Sequence, residues 1–483
     1  MESGPEKMPT AVIVGGGVAG LTGALALRPL GYDVGVLDRD PAPAPVSVEQ
    51  ANVNWLRPSA PQTLHSHAFT SLGVGLLRNR APEVHAGLLA AGATEIDLST
   101  TKPPALRDTP PEPGDAELTV LACRRRTFDS VLATTVERLG ITVRRNAVVR
   151  GLDLTDDGSP RVVGVRLADG SRIQADVVMD ATGRRAESRR WLAAAAIPVA
   201  EDRVRACDIA CYTRFYRCRG ESLPGPLNRG NAGGGIFGHY MAFVHPGDNG
   251  TFSVGIGVLP DDPLLKAVRD EAAFTAVLSA TPLLAPWIAK GVSDPISSVN
   301  AIRFPDNTVR GVATTRQQPV HGLFQLGDAA CVTNPLYGRG VALAIAHVYK
   351  LAEVLAEQPE IGREQSARTA EATETLLVPW FRQAVHDDLE RIRGWRIAVH
   401  GEQLPPLPDD YLGLGTAAMA SAFDVVVWRR LTRVLMSLDP PELFYGDPAM
   451  RARVRSVLAG RQPARIPVPE RAEFVRILSE ACR

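Results

Sequence analysis

Short apolar runs alternate with helix-like segments in the first part of the chain. Residues 12–14 form a β-branched apolar run, and an apolar segment of helical character follows it directly. Residues 33–37 form another such run, so the pattern predicts a strand, a helix and a parallel strand in succession. Pro29 lies in the last turn of the predicted helix, and Gly31 is the candidate C′ residue that ends it.

The middle of the chain adds further strand-like runs. Residues 141–149 and 161–167 are separated by the turn sequence Asp-Asp-Gly-Ser. Residues 175–184 then predict a buried strand that leads into a turn containing Gly183. A parallel strand that ends in a glycine turn lies where doubly wound folds place their ligands.

Between residues 208 and 260 the pattern changes to apolar–polar alternation. Residues 208–216, 239–245 and 252–259 alternate and are joined by Gly-rich turns, which predicts an antiparallel sheet. This sheet is the candidate floor of a substrate pocket. Its aromatic residues are candidates either for the pocket lining or for the core: Tyr212, Phe215, Phe237, Tyr240 and Phe243.

The remainder of the chain is mainly helical. Residues 322–326 form a strand-like run that leads to Asp328, and a Gly-Arg-Gly turn at residues 338–340 opens a long apolar helix. The glycines allow a ligand to approach the backbone at this helix N-terminus. From about residue 363 helical spacing continues, and Pro379 predicts a kink or a division in the first long helix.

Composition limits the class of protein. A chain of 483 residues suggests two or three domains. Its 53 basic residues balance 53 acidic ones, so no nucleic-acid partner is expected. No apolar run reaches the length of a membrane span and the N-terminus lacks a signal-peptide pattern, so we expect a cytoplasmic protein.

The six cysteines do not suggest a disulfide framework in a chain of this length. Cys207, Cys211 and Cys218 lie close together, which raises the alternative of a metal site. They fall in a strand-like run, where the period of two puts Cys218 opposite the other two. No His or Cys partner has zinc-finger spacing, so no metal is expected.

The first predicted strand is followed by a glycine motif. Gly15, Gly17 and Gly20 have the G-x-G-x-x-G spacing and lie between a strand and a helix. The first glycine permits a tight turn, the second lets a pyrophosphate approach the backbone, and the third allows the helix to pack on the strand. Asp38 ends the next strand, where an acceptor for a ribose hydroxyl is expected. These residues predict a dinucleotide site.

Two polar segments have open interpretations. His65 and His67 precede a probable helix, and they either cap it and bond to the backbone or belong to a segment that folds over a cofactor ring. The arginines at residues 124–126 enter another predicted helix together. Of these three, at least one is expected to be solvated, and one could reach an anionic cofactor.

With these stretches in hand, the chain resembles flavoprotein monooxygenases of the para-hydroxybenzoate hydroxylase-like fold. The resemblance rests on GGGVAG with Asp38-Arg39, CRRRTF, DVVMDATGR and LFQLGDAACVTNPLYGRG, in the order and approximate spacing of that family over roughly the first 360 residues. The segment APQTLHSHAF resembles a bacterial branch that includes polyether epoxidases.

The resemblance implies a set of FAD-binding residues. The ADP half would be held near the glycine motif and the end of the second strand, the ribityl and phosphate region by an arginine and an aspartate, and the ring by the Gly-Arg-Gly turn. The implied residues are Gly15, Gly17, Val18, Ala19, Gly20, Asp38, Arg39, Arg125, Gly183, Asp328, Pro335, Gly338, Arg339 and Gly340. No catalytic residue is implied.

Three departures from the family pattern bear on function. Many hydroxylases carry Asp-Gly where this chain has Asp180-Ala181-Thr182-Gly183, which leaves the pyridine-nucleotide contacts open. The histidine common after Gly-Asp-Ala-Ala is Cys331 here. The W-x-W-x-I-P motif of flavin-dependent halogenases is missing from the sequence, which argues against chlorination.

The implied fold class is α/β with an α+β second domain: a Rossmann-like FAD-binding domain, an antiparallel-sheet substrate domain and a helical C-terminal region. The expected division is 1–205 for the first FAD-binding part, with a substrate-domain excursion at about 52–120. The substrate sheet follows at 206–297, the second FAD-binding part at 298–360 and the helical region at 361–483.

The implied function is an FAD-dependent monooxygenase of bacterial secondary metabolism. It would insert one oxygen atom from O2 into a small organic substrate, by epoxidation or hydroxylation, through a flavin C4a-hydroperoxide. The reductant would be NAD(P)H or would be supplied by a partner such as a separate flavin reductase. The alternatives are an FAD-dependent dehydrogenase or alkene reductase on the same fold, and a flavoprotein that only binds or transfers electrons.

Overall fold

A computed structural model of the protein describes residues 8–156, 158–228, 230–461 and 467–481. Its α-helices are Val18–Leu27, Val48–Asn54, Ser71–Arg80, Pro82–Ala90, Arg125–Arg138, Ser188–Ala194, Glu271–Ser279, Ala285–Ile288, Gly311–Thr314, Gly340–Glu357, Arg363–His400, Leu414–Ser421, Val425–Leu435, Glu442–Tyr445, Pro448–Leu458 and Arg471–Ala481. Its strands are Thr10–Val14, Asp33–Leu37, Thr94–Asp97, Thr119–Ala122, Thr142–Arg144, Val149–Leu154, Val162–Leu167, Arg172–Gln174, Val177–Asp180, Arg203–Arg205, Ala210–Cys218, Gly233–Ile236, Met241–Pro246, Thr251–Val258, Ser293–Pro295, Asn300–Arg303, Asn307–Val309, Leu323–Gln325 and Cys331–Val332.

A parallel sheet forms the centre of the N-terminal half. Its strands run in the spatial order Leu323–Gln325, Val177–Asp180, Thr10–Val14, Asp33–Leu37 and Thr142–Arg144. The central strands are almost continuously apolar because both faces of a parallel sheet are covered.

The two faces of this parallel sheet carry different layers. Ile13 points into a core shared with three helices, Val18–Leu27, Arg125–Arg138 and Gly340–Glu357. The side chains of Val12 and Val14 join a core on the opposite face. That face is covered by a small antiparallel sheet and by the helix that contains Trp191.

A second, antiparallel sheet lies between residues 210 and 303. Its central strand pair, Ala210–Cys218 and Thr251–Val258, is extended on both sides by Met241–Pro246 and by Asn300–Arg303. One face of the sheet packs its apolar side chains against the helices Glu271–Ser279 and Arg471–Ala481. The other face is turned toward the domain of the parallel sheet. An ion pair joins the two domains: Arg124 Nη2 lies 2.6 Å from Oδ2 of Asp248, in the turn between the strands Met241–Pro246 and Thr251–Val258.

Two of the predicted elements are corrected. Residues 141–149 do not form one strand, because Asn146 has a φ of 52° and ends the run between Thr142–Arg144 and the next strand. Of the two outcomes expected at Pro379, a kink or a division, the division does not occur, since Arg363–His400 is a single helix of 38 residues. Leu377, Val378 and Trp380 are buried in the C-terminal core around the proline, and this packing outweighs the lost backbone hydrogen bond.

The predicted fold class is confirmed: a mixed α/β chain with an antiparallel sheet and a helical C-terminal region. Among the described residues no helix is long and apolar enough to cross a membrane. Within the same residues no group of three or more potential metal ligands comes together. The described cysteines are free, and Cys211 and Cys218 lie at positions of opposite parity in one strand.

Candidate functional site

A cavity of about 470 Å³ opens at the carboxyl ends of the parallel strands. Most of the residues that the sequence implied for FAD line it: Gly15, Gly17, Val18, Ala19, Asp38, Arg39, Arg125, Gly183, Asp328, Pro335, Gly338 and Gly340. The side chain of Arg339 and the backbone of Gly20 lie outside the lining, for separate reasons.

The glycine motif shapes one end of this cavity. Gly15 donates its N–H to the carbonyl oxygen of Leu37 at 2.8 Å, and its φ of +119° is open to glycine alone. A Cβ at Gly20 would overlap the carbonyl oxygen of Gly15, so this glycine serves helix–strand packing. At Gly17 a Cβ would meet no atom within 4 Å, and that open space faces the cavity at the N-terminus of the following helix. The space and the free N–H groups fit a pyrophosphate.

Asp38 is held by an arginine that the sequence analysis did not single out. Arg57 Nη2 lies 3.2 Å from Asp38 Oδ2 and donates to the carbonyl oxygen of Gly16 at 2.8 Å. Its Nη1 reaches Asp129 Oδ2 at 3.2 Å, and its Nε lies 3.6 Å from Asp40. Arg57 therefore fixes the carboxylate at the end of the second strand against the glycine turn. No local pattern around residue 57 indicates this role.

The segment that contains His65 and His67 folds over the cavity. His65, Ser66, His67 and Ala68 all line it. His65 Nδ1 lies 3.0 Å from Thr213 Oγ1 on the antiparallel sheet, while His67 contacts an arginine of the cofactor region. This placement supports the cofactor interpretation over helix capping.

Acid is expected to destabilise the fold through these two histidines. Burial, assisted by the charge of Arg184, lowers the pKa of His65 to about 4, and burial together with the charge of Arg125 lowers that of His67 to about 3. An unfolded histidine has a pKa of about 6.5, so below that pH the unfolded state binds more protons. The free energy of unfolding should therefore fall by up to about 1.4 kcal/mol per pH unit for each histidine between pH ~6.5 and ~4.

Denaturant titrations over this pH range measure the effect. In His67→Gln the pH slope should decrease by the contribution of one histidine. A wild-type free energy of unfolding that stays flat down to pH ~4 would contradict the expectation.

Asp328 follows the strand Leu323–Gln325, and its neighbour Gly327 lies close to Ala19 in the first turn of the helix Val18–Leu27. Its carboxylate lines the cavity and makes no hydrogen bond within the described residues. Burial raises its pKa, and the nearby charges of Arg184, Arg125 and Arg310 oppose that rise. A half-buried carboxylate that lines a cavity without a protein partner is suited to accept hydrogen bonds from ligand hydroxyls.

Replacing Asp328 by alanine is expected to weaken FAD binding. The lost hydrogen bonds to a charged group correspond to about 1.5–3 kcal/mol, or roughly 10-fold to 100-fold in the dissociation constant. Titration of the apoprotein with FAD measures this, and Asp328→Asn, which keeps an acceptor oxygen, should show a smaller loss. An unchanged affinity in the alanine variant would leave Asp328 as a feature of the strand end only.

The turn at residues 335–338 closes the cavity beside the histidine segment. Asn334 accepts a hydrogen bond from the backbone N–H of Leu336 at 2.9 Å and so caps the turn that begins at Pro335. Gly338 has a φ of +66°, and a Cβ there would lie 2.6 Å from Ala68 Cβ. The turn and the histidine segment are thus in direct contact.

Arg339 points away from the cavity. Its side chain is only 1% exposed, and its guanidinium lies 4.9 Å from the ring centre of Tyr337 and 5.1 Å from that of Trp380. Burial lowers its pKa, and the neighbouring Asp387 opposes the shift. The arginine that the resemblance placed beside the ring therefore packs into the C-terminal core.

One carboxylate of the long C-terminal helix holds this turn. Asp388 accepts hydrogen bonds from Asn334 Nδ2 at 2.6 Å, Asn307 Nδ2 at 2.7 Å, Arg391 Nη2 at 2.9 Å and the hydroxyl of Tyr337 at 3.1 Å. Arg391 also donates to the carbonyl oxygens of residues 207 and 208 at the start of the antiparallel sheet. The helical region thereby connects the turn to the sheet, a function with no signal in the sequence.

Asp180, in the stretch that departs from the family pattern, is structural. It is fully buried, and its carboxylate accepts from the backbone N–H groups of Thr182 at 2.9 Å and Ser188 at 2.7 Å. Burial raises its pKa, and these hydrogen bonds oppose the rise. The carboxylate orders the turn that brings Gly183 into the cavity wall.

The aromatic candidates of the antiparallel sheet do not line the cavity. Tyr212, in the strand Ala210–Cys218, and Tyr240, just before the strand Met241–Pro246, are both buried in the core between the far face of the sheet and its helices. Phe243 packs in a cluster with Ile302 and Phe304, and these last two residues line the cavity. The sequence analysis missed them because they follow the predicted sheet.

Comparisons with known proteins place the chain among flavoproteins. The family model described as an FAD binding domain matches residues 8–374. Among solved structures, a flavoprotein/dehydrogenase from Cytophaga hutchinsonii is similar at 13% identity, with 94% of this chain and 100% of that chain covered and a TM-score of 0.61. A triple mutant of the flavin-dependent brominase Bmp2 is similar at 16% identity, with coverage of 93% and 98% and a TM-score of 0.59.

A mutant of 2-methyl-3-hydroxypyridine-5-carboxylic acid oxygenase is similar at 17% identity, with coverage of 86% and 96% and a TM-score of 0.54. At these identities the similarities show a shared fold. No curated protein sequence matches the chain significantly.

Proposed function

The chain belongs to the FAD-binding-domain family, and on that premise we propose that it is a flavin-dependent monooxygenase that transfers one atom of O2 to a small organic substrate. The proposed reaction is epoxidation or hydroxylation, in bacterial secondary metabolism. The proposed relatives in function are the bacterial enzymes that include polyether epoxidases, because the segment APQTLHSHAF follows their pattern.

One observation carries this proposal. A single cavity extends from the open space at Gly17 to Asp328 and on to Ile302 in the antiparallel sheet and Phe304 just after it. The proposed cofactor residues and the apolar residues next to the sheet therefore share one enclosure, which an oxygen transfer between cofactor and substrate requires.

The proposed contacts follow from this arrangement. The glycine turn and the N-terminus of the following helix would hold the pyrophosphate, with Asp38 at the ribose, Arg125 and Asp328 at the ribityl chain, and Pro335 beside the ring. When bound and reduced, FAD would be the group that reacts with O2. The helix Gly340–Glu357 begins next to that position, and its positive dipole end favours negative charge there.

The histidine segment is proposed to exclude water from the cavity. His65 and His67 are neutral in the folded protein above pH ~5, since burial lowers the pKa of each. They and Ala68 close the cavity against the turn at Gly338, so the substrate would react away from bulk solvent. The reductant is proposed to be NAD(P)H or a separate flavin reductase.

Isotope labelling tests the proposal. With 18O2, a reductant and substrate candidates, product mass should increase by one oxygen atom, and anaerobic reactions should give no product. An FAD-dependent dehydrogenase or alkene reductase would form product without O2 and without label. Either of those outcomes would overturn the oxygenase reaction, and a lack of turnover with every reductant would favour an electron-transfer protein.

A further inference from the structure

We propose that His67 is a positioning residue whose imidazole holds the Arg125 guanidinium in the orientation in which it faces the cofactor cavity. The inference rests on the proposed FAD site, in which Arg125 contacts the cofactor, and it assigns His67 a role beyond closing the cavity. Three observations carry it: the tautomer of His67, the free edge of Arg125, and the anchoring of the segment to the antiparallel sheet.

The hydrogen bonds of His67 define one neutral tautomer. Its Nε2 lies 3.1 Å from Arg125 Nη1, and a guanidinium can only donate, so Nε2 is the acceptor. Its Nδ1 lies 3.0 Å from the carbonyl oxygen of His65, which can only accept, so Nδ1 carries the hydrogen. Burial lowers the pKa of His67 to about 3, in agreement with a neutral ring.

Arg125 is held along two of its edges. Its Nε donates to Asp129 Oδ1 at 2.6 Å, and its Nη1 donates to His67. Two bonds in different directions fix the plane of a guanidinium. Within the described residues Arg125 makes no further hydrogen bond, and its side chain lines the cavity, so its remaining N–H groups are available to an anionic or polar ligand.

The contact is part of a longer connection between the two halves of the cavity. Thr213 on the antiparallel sheet bonds to His65, whose carbonyl oxygen fixes His67. On the other side, Asp129 also binds Arg57, which contacts Asp38 at the end of the second parallel strand. In this chain of contacts, His67 is the residue that links the antiparallel sheet to Arg125, the proposed cofactor-binding arginine.

A purely structural role for His67 would depend on its Nδ1 rather than on its Nε2. If the residue only secured its own segment, the bond from Nδ1 to the His65 carbonyl oxygen would matter and the bond to Arg125 would not. Two substitutions separate the roles. His67→Gln can place its amide oxygen near the Nε2 position as an acceptor, whereas His67→Asn can place its amide nitrogen near the Nδ1 position as a donor.

FAD titration of the apoproteins distinguishes these cases. If His67 positions Arg125, the Asn variant should bind FAD about tenfold more weakly and the Gln variant within about threefold of wild type, since a hydrogen bond to a charged group is lost only in the first. The midpoint potential of the bound flavin should likewise change more in His67→Asn than in His67→Gln. Thermal unfolding of both apoproteins checks that they are folded. The reverse order of affinities would overturn the inference.

A double-mutant cycle with Arg125→Ala completes the test. The weakening caused by His67→Asn should vanish when Arg125 is already absent. Persistence of the full effect in that background would overturn the positioning role and leave the FAD site intact. If Arg125→Ala binds FAD as tightly as wild type, the assignment of Arg125 fails and the inference fails with it. Failure of the wild-type apoprotein to bind FAD would instead overturn the proposed function.

Discussion

Replacing Gly17 by valine is expected to give a folded, colourless protein. The backbone at Gly17 has a φ of −88° and a ψ of −171°, which any residue adopts, and a Cβ there meets no atom within 4 Å. A valine side chain would instead occupy the space into which the pyrophosphate is proposed to fit, and it would keep the phosphates from the helix N-terminus. We expect the FAD dissociation constant to rise by at least about 100-fold, or about 2.7 kcal/mol.

The measurement is the flavin absorbance of the purified protein, together with titration of the apoprotein. Gly75→Ala is the matched control: this glycine lies in the helix Ser71–Arg80, a Cβ there also meets open space, and alanine favours a helix. The control should retain FAD. Gly20→Ala should behave differently from both, because a Cβ there overlaps the backbone of Gly15 and the fold itself would suffer. A yellow Gly17→Val protein with wild-type affinity would contradict the pyrophosphate assignment.

Replacing Asp388 by alanine is expected to lower the free energy of unfolding by about 3–5 kcal/mol. The carboxylate is 1% exposed and receives hydrogen bonds from Asn307, Asn334, Tyr337 and Arg391. Its removal would leave these buried donors without an acceptor and Arg391 without its counter-ion. Denaturant unfolding monitored by circular dichroism measures the loss.

The neighbouring carboxyl provides the control for Asp388. Burial raises the pKa of Asp387 to about 7, with Asp388 adding to the rise and Arg339 opposing it. Since a pKa of about 7 leaves this carboxyl about half protonated at pH 7, and asparagine keeps its size and shape, Asp387→Asn should cost no more than about 1.5 kcal/mol. If both variants lost the same free energy of unfolding, the four hydrogen bonds to Asp388 would not be the source of its effect on stability.

The elements nearest the glycine motif were predictable because local patterns determine them. The strand at residues 33–37 has the predicted bounds, and Gly31, with a φ of +85°, ends the short helical turn that contains Pro29. The three main strands of the antiparallel sheet begin and end within two residues of the predicted ones. In each case alternation or a glycine of positive φ acts within a few residues.

The parts that could not be predicted depend on contacts between distant segments. Arg57 lies in a loop, and its ion pairs with Asp38 and Asp129 are formed only after the sheet and a helix have come together. Asp388 lies in a helix whose own pattern shows only an apolar face, while three of its four partners lie 51 to 81 residues earlier in the chain. The side of the sheet on which Tyr212 lies is likewise decided by which layer covers which face.

The structure brings most of the proposed cofactor residues to one cavity, while the role of each residue stays a prediction. The glycine spacing had already distinguished Gly17, open to a pyrophosphate, from Gly20, packed on the strand, and the space around each of the two glycines is of the expected kind. The position of Arg339 shows the limit of resemblance: the backbone turn matches the family pattern, while the side chain packs on Trp380 in the C-terminal core.

The edge position of Leu323–Gln325 in the parallel sheet has a consequence for biosynthesis. A nascent chain that ends before this strand leaves Val177–Asp180 as an open edge, with backbone groups able to pair with other chains. It also lacks Asp328 and the turn at Pro335, so FAD cannot yet stabilise it. Capture of FAD at the proposed site must therefore wait until most of the polypeptide has left the ribosome, and until then bound flavin cannot protect the open sheet edge against aggregation.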